Sequence, residues 1–67
     1  MKVGAKVSWD TSQGRTRGTI VEKKTKDFQL AKQQWRASED EPMYVVESEK
    51  TGAKAAHKPG ALNVLKS

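Results

Sequence analysis

The sequence predicts an all-β fold: a small, strongly bent, five-stranded antiparallel barrel with one short helical turn near the C-terminus. Three observations carry this. Apolar and polar residues alternate with a period of two near the N-terminus, and glycine-marked turns recur every 8–15 residues. Only 15 bulky hydrophobic side chains remain once the alanines and Met1 are set aside. So few side chains build one thin core, and the 67 residues are read as a single domain, 1–67. The chain has no cysteine, so neither a disulfide nor a thiolate zinc site staples it, and the fold rests on that core.

Val3, Ala5, Val7 and Trp9 alternate with Lys6, Ser8 and Asp10, which places the apolar set on one face of a first strand over 3–9. Asp10 to Gly14 is rich in side chains that hydrogen-bond their own backbone, so the chain reverses there. A long, bent second strand follows over 15–24, in which Gly18 marks a bulge or the close approach of another backbone. Residues 25–42 fit either a short helix carrying Phe28, Ala31 and Trp35 on one face or a strand with wide loops. Flanking strands favour the second, with a strand reaching through 34–38. The acidic loop Ser38–Glu41 is closed by Pro42, and Met43–Ser48 is the strongest strand in the chain. On it Tyr44 and Val46 are expected to face the core, with Val45 outside and partly covered. Glu49-Lys50-Thr51-Gly52 makes a hairpin turn, 53–57 returns as a strand, Pro59 opens a helical turn through Leu62, and 63–65 is a short last strand.

The formal charge of +5 is unevenly spread. Residues 1–26 carry 7 basic and 2 acidic side chains, 27–50 carry 3 and 6, and 51–67 carry 3 and none. The chain is therefore dipolar rather than uniformly basic. The longest bulky apolar run, Met43–Val46, is far short of a bilayer span, and Met1-Lys2 leads into no signal-peptide stretch. A soluble, cytoplasmic protein without membrane contact is expected.

The strings Val3-Gly4-Ala5-Lys6-Val7-Ser8-Trp9, Gly14-Arg15-Thr16-Arg17-Gly18-Thr19-Ile20-Val21-Glu22, Pro42-Met43-Tyr44-Val45-Val46 and, after Thr51-Gly52, Ala55-Ala56-His57-Lys58-Pro59 with Ala61-Leu62 resemble the hypervirulence-associated Tudor-like domain family. The first half is shared with many small barrels, and the second half narrows the match. This resemblance implies an SH3-like (Tudor-type) barrel and hands over no settled activity. Tudor-like barrels elsewhere hold methylated ammonium groups in cages of three or four aromatic rings. Trp9, Phe28, Trp35 and Tyr44 are the aromatics available here, but a chain this short needs its rings for packing, Trp9 and Tyr44 above all.

Trp35 stands among Gln33, Gln34 and Arg36 without a strong apolar neighbour, so it is either a packed ring or an exposed anchor for a ligand. Arg15 and Arg17, two apart on a strand, share a face. With Lys23 and Lys24 they form a candidate basic face, against the plainer reading of a charged edge that discourages aggregation. His57, the sole histidine, is expected at the surface or rim, with Glu47 or Glu49 near enough for a cross-strand ion pair. One histidine cannot assemble a metal site, and no nucleophile–base pair or phosphate loop is visible. The expectation is a non-catalytic binding module without cofactor or metal. Its candidate ligand-binding residues are Arg15, Arg17, Lys23, Lys24, Trp35 and His57, and its candidate partner is RNA, DNA or an acidic protein segment. The alternative is a self-assembling or accessory protein–protein interaction domain. Its expected state is a monomer or a weak homo-oligomer.

Overall fold

Alternation in the sequence becomes pairing in the computed structural model, which describes residues 2–12, 14–30 and 32–65. Met1, Gln13 of the first turn and Ala31 of the helical alternative lie outside the described residues. Strands β1 (Lys6–Thr11), β2 (Gly14–Lys24), β5 (Met43–Ser48), β6 (Lys54–His57) and β7 (Asn63–Val64) form one antiparallel sheet in the order β6-β5-β2-β1-β7. Strands β3 (Phe28–Leu30) and β4 (Gln33–Trp35) form a separate hairpin. The sheet curls on itself. Trp9 on β1 and His57 on β6, strands that are not neighbours in the ladder, meet with ring centroids 5.4 Å apart. Five strands bent this far make the small SH3-like barrel that the pattern predicts.

Inside lie Val7, Trp9, Ile20, Tyr44, Val46 and Leu62, with Ala5 and Ala55 packed against them. Each bulky side chain taken fully from water contributes about 1.5–3 kcal/mol, so this handful supplies most of the driving force. Tyr44 and Val46 face inward as expected. Pro59–Ala61 forms the 3-10 turn, where the Ala61 and Leu62 amides donate to the Lys58 and Pro59 carbonyls, and it sets Leu62 into the core.

Three expectations need correction, and one, at Gly18, is met by the second of its two alternatives. Val3 is 60% exposed and outside the first strand, because Gly4 takes φ +94° and turns the chain before β1 begins. Gly18 is the site of close backbone approach, while the bulge lies at Val21, where Ile20 pairs Val46 and Glu22 pairs Val45. Val45 is only 3% exposed; it lies on the outer face of β5, and Phe28 and Leu30 of the β3–β4 hairpin line the hollow beside it. The strand foreseen at 34–38 is β4, ending at Trp35 and paired with β3 rather than with the barrel. The hairpin closes through Lys32 at φ +65°, a conformation that a glycine normally announces. Asp27 ties its base by accepting the Ala37 amide at 3.2 Å.

Candidate functional site: a basic groove beside the first hairpin

A groove of about 720 Å³ runs between the β1–β2 hairpin and the β5–β6 turn. Its lining includes Arg15 and Arg17 from β2, Lys50 from the turn and Lys54 from β6, with Trp9 and Glu49 among its other walls. The turn is held by the Gly52 amide donating to the Ser48 carbonyl at 2.9 Å, with Gly52 at φ +73°, the left-handed position expected of it. Across the groove the Glu49 amide donates to the Arg17 carbonyl at 3.1 Å. Both walls are therefore fixed to one another by backbone.

Charge in the groove is one-sided. Glu49 is already engaged, its Oε1 2.9 Å from Lys6 Nζ, which also reaches Thr19 Oγ1 at 3.1 Å. Arg15 Nε lies 3.5 Å from Asp10 Oδ1, an exposed and loose pair. Arg17, Lys50 and Lys54 form no ion pair among the described residues. Among the described residues, four cations thus line a groove whose single lining carboxylate is paired with a fifth.

The structure divides the six sequence-predicted site residues. Arg15 and Arg17 keep a common outer face and join the groove. The bulge at Val21 reverses which side successive residues of β2 face, so Lys23 pairs with inward-facing Tyr44 and stands on the opposite side of the strand from the two arginines. Lys24 Nζ is 2.8 Å from Glu22 Oε2 and 5.7 Å from the Phe28 ring centroid, so it serves the hairpin rather than the groove. Trp35 is half-buried, and its indole N–H donates to the Leu30 carbonyl at 3.4 Å. Lys50 and Lys54 were missed because they sit beyond an acidic stretch of sequence, and only the β5–β6 hairpin folds them back beside Arg15 and Arg17. Trp9 and Tyr44 lie in the core, while Phe28 and Trp35 pair with each other on the outer hairpin, so the four rings do not converge.

His57 is half-buried, as a rim residue is, but its expected ion pair is not made. Its partner across the β5–β6 ladder is Tyr44, whereas Glu47 is opposite Lys54 and Glu49 is held by Lys6. The cross-strand ion pair therefore does not form. The imidazole instead packs against Trp9, and its Nε2 is buried with no hydrogen-bond partner among the described residues. Burial lowers its pKa below the ordinary 6.5. The unfolded chain accordingly takes up a proton near pH 6.5 before the folded chain does, so stability is lost as pH falls from there toward the folded value and is unaffected above it. Urea midpoints between pH 7.5 and 5 should fall more steeply for the wild type than for His57→Phe, which keeps a ring beside Trp9. Parallel profiles would contradict this origin.

Among the described residues no group of three or more His, Asp or Glu side chains converges as a metal site would require. Among the described residues no helix is long and apolar enough to cross a membrane. No curated protein and no solved structure matches the chain. A family model described as the Tudor domain of hypervirulence-associated proteins matches residues 4–62, from the turn before β1 through the last core residue of the barrel. With most of its length accounted for by that match, the chain belongs to the hypervirulence-associated Tudor domain family.

Proposed function

We propose that the protein is a binding module whose basic groove takes an acidic segment of a partner protein. Tudor-type domains are generally non-catalytic binding modules, which supports the class of function. The groove supports the choice of ligand. The observation that carries it is the placing of Arg15, Arg17, Lys50 and Lys54 around one groove whose only carboxylate among the described residues, Glu49, is already paired with Lys6. An incoming carboxylate finds two arginines and two lysines lining one groove, and guanidinium groups are suited to pairing with carboxylates.

Acidic protein is favoured over nucleic acid because the groove has no stacking platform. Trp9 is only 5% exposed and its ring is committed to the core, so no base can lie on it as single strands require. Edge strand β6 brings Lys54 and Ala55 to the groove, and an extended peptide can pair with an open strand edge.

A labelled oligoglutamate peptide should bind at 50 mM salt and weaken steeply by 500 mM. Reversing two cations with Arg15→Glu and Arg17→Glu should weaken it at least about tenfold, a change of about 1.4 kcal/mol. Absence of binding at 50 mM salt, or equal binding by the reversed variant, would overturn the reading. Tighter binding of a single- or double-stranded oligonucleotide than of the peptide would replace the partner class.

A further inference from the structure

We infer that the acidic segment the groove accepts is the turn Ser38–Glu41 of a second copy of this chain. This rests on the groove reading above and names its partner. The turn is built before any contact: the Ser38 amide donates to the Glu41 carbonyl at 3.1 Å and the Glu41 amide donates to Ser38 Oγ at 3.0 Å. Its carboxylates, Glu39, Asp40 and Glu41, are exposed and form no ion pair among the described residues. A turn already fixed by its own hydrogen bonds loses little conformational entropy on docking.

Position decides that the contact is between molecules. The acidic turn precedes β5 and the groove opens where β5 ends, at Ser48. Six extended residues hold the two poles about 20 Å apart, so a chain cannot fill its own groove. Three unpaired carboxylates at one end and four cations at the other give each molecule a complementary pair of surfaces. Such a contact is head-to-tail: the patch on one copy differs from the patch on the next, and association continues into rings or filaments rather than stopping at a two-fold dimer. Net charge of the same sign on each copy opposes this over long range. At 0.1 M salt, however, the screening length is about 10 Å, shorter than the separation of the poles, so the local contact outweighs the overall repulsion.

The test uses two charge-reversed full-length chains. One carries Glu39→Lys, Asp40→Lys and Glu41→Lys; the other carries Arg15→Glu and Arg17→Glu. All five positions are exposed, and circular dichroism confirms that each variant folds. By analytical ultracentrifugation in 0.1 M salt, the wild type should gain average mass between 10 µM and 1 mM and lose that gain in 1 M salt. Each variant alone should stay monomeric, and an equimolar mixture should associate, because each supplies the pole the other has reversed. A wild type that remains monomeric at 1 mM, or a lysine variant that associates as the wild type does, overturns the inference. If the wild type stays monomeric while oligoglutamate still binds, the groove reading survives and the second copy is excluded as its partner; if oligoglutamate also fails, both fall.

Discussion

Replacing Gly18 by alanine is expected to cost about 3 kcal/mol or more, a large part of the few kcal/mol that hold a domain of this size folded. Gly18 sits on β2 between β1 and β5, paired with Val7 on one side and Ser48 on the other. A methyl group there would run into the Glu47 carbonyl oxygen and stand 2.6 Å from Cη2 of the Trp9 indole. Neither neighbour can yield freely. The carbonyl belongs to the β5 backbone, and the indole is locked in the core, so relief requires β2 and β5 to move apart. The urea midpoint should drop sharply, with part of the population unfolded without denaturant. A midpoint within error of the wild type would mean that the ladder is far softer than its pairing implies. Gly52→Ala gives a contrast, because a Cβ at Gly52 meets nothing within 4 Å and the cost there arises only from φ +73°.

Trp9→Ala should destabilise by about 3–5 kcal/mol, the range for removing a large aromatic ring from a core. The ring fills the barrel, covers Gly18 and packs on His57. With only six residues in the central cluster, few neighbours are left to fill the space. Chemical denaturation followed by circular dichroism measures the effect without relying on the tryptophan that is removed. Combining the two changes separates their causes: if the clash with the β5 carbonyl dominates, Gly18→Ala costs nearly as much with Trp9→Ala as without it, and if the ring dominates, most of the cost disappears.

What the sequence made legible follows from how local each signal is. Met43–Ser48 was readable to the residue because a β-branched and aromatic run between a proline and a turn leaves few alternatives. The β5–β6 turn was readable because Gly52 is where a left-handed residue is needed. The β3–β4 hairpin was not, because Lys32 occupies its left-handed position and carries no mark in the sequence. The same limit applied to the groove. Arg15 and Arg17 could be paired from their spacing alone, but Lys54 joins them only through a hairpin and Lys23 leaves them only through a bulge. The inward turn of His57 depended on the curl of the whole sheet, a property of no single strand.

That extra residue at Val21 has a consequence for how the chain tolerates change in length. Ile20 opposes Val46 and Glu22 opposes Val45, so loss of residue 21 would join two ladders already in step instead of sliding one past the other. What would be lost is the local twist that a bulge adds to a strand. Elsewhere in β2 a one-residue deletion would exchange the buried and solvent faces of everything beyond it. The longest strand of the barrel therefore contains one joint at which it can be shortened without exchanging those faces, and the joint lies between the part of β2 that lines the barrel and the part that faces the outer hairpin.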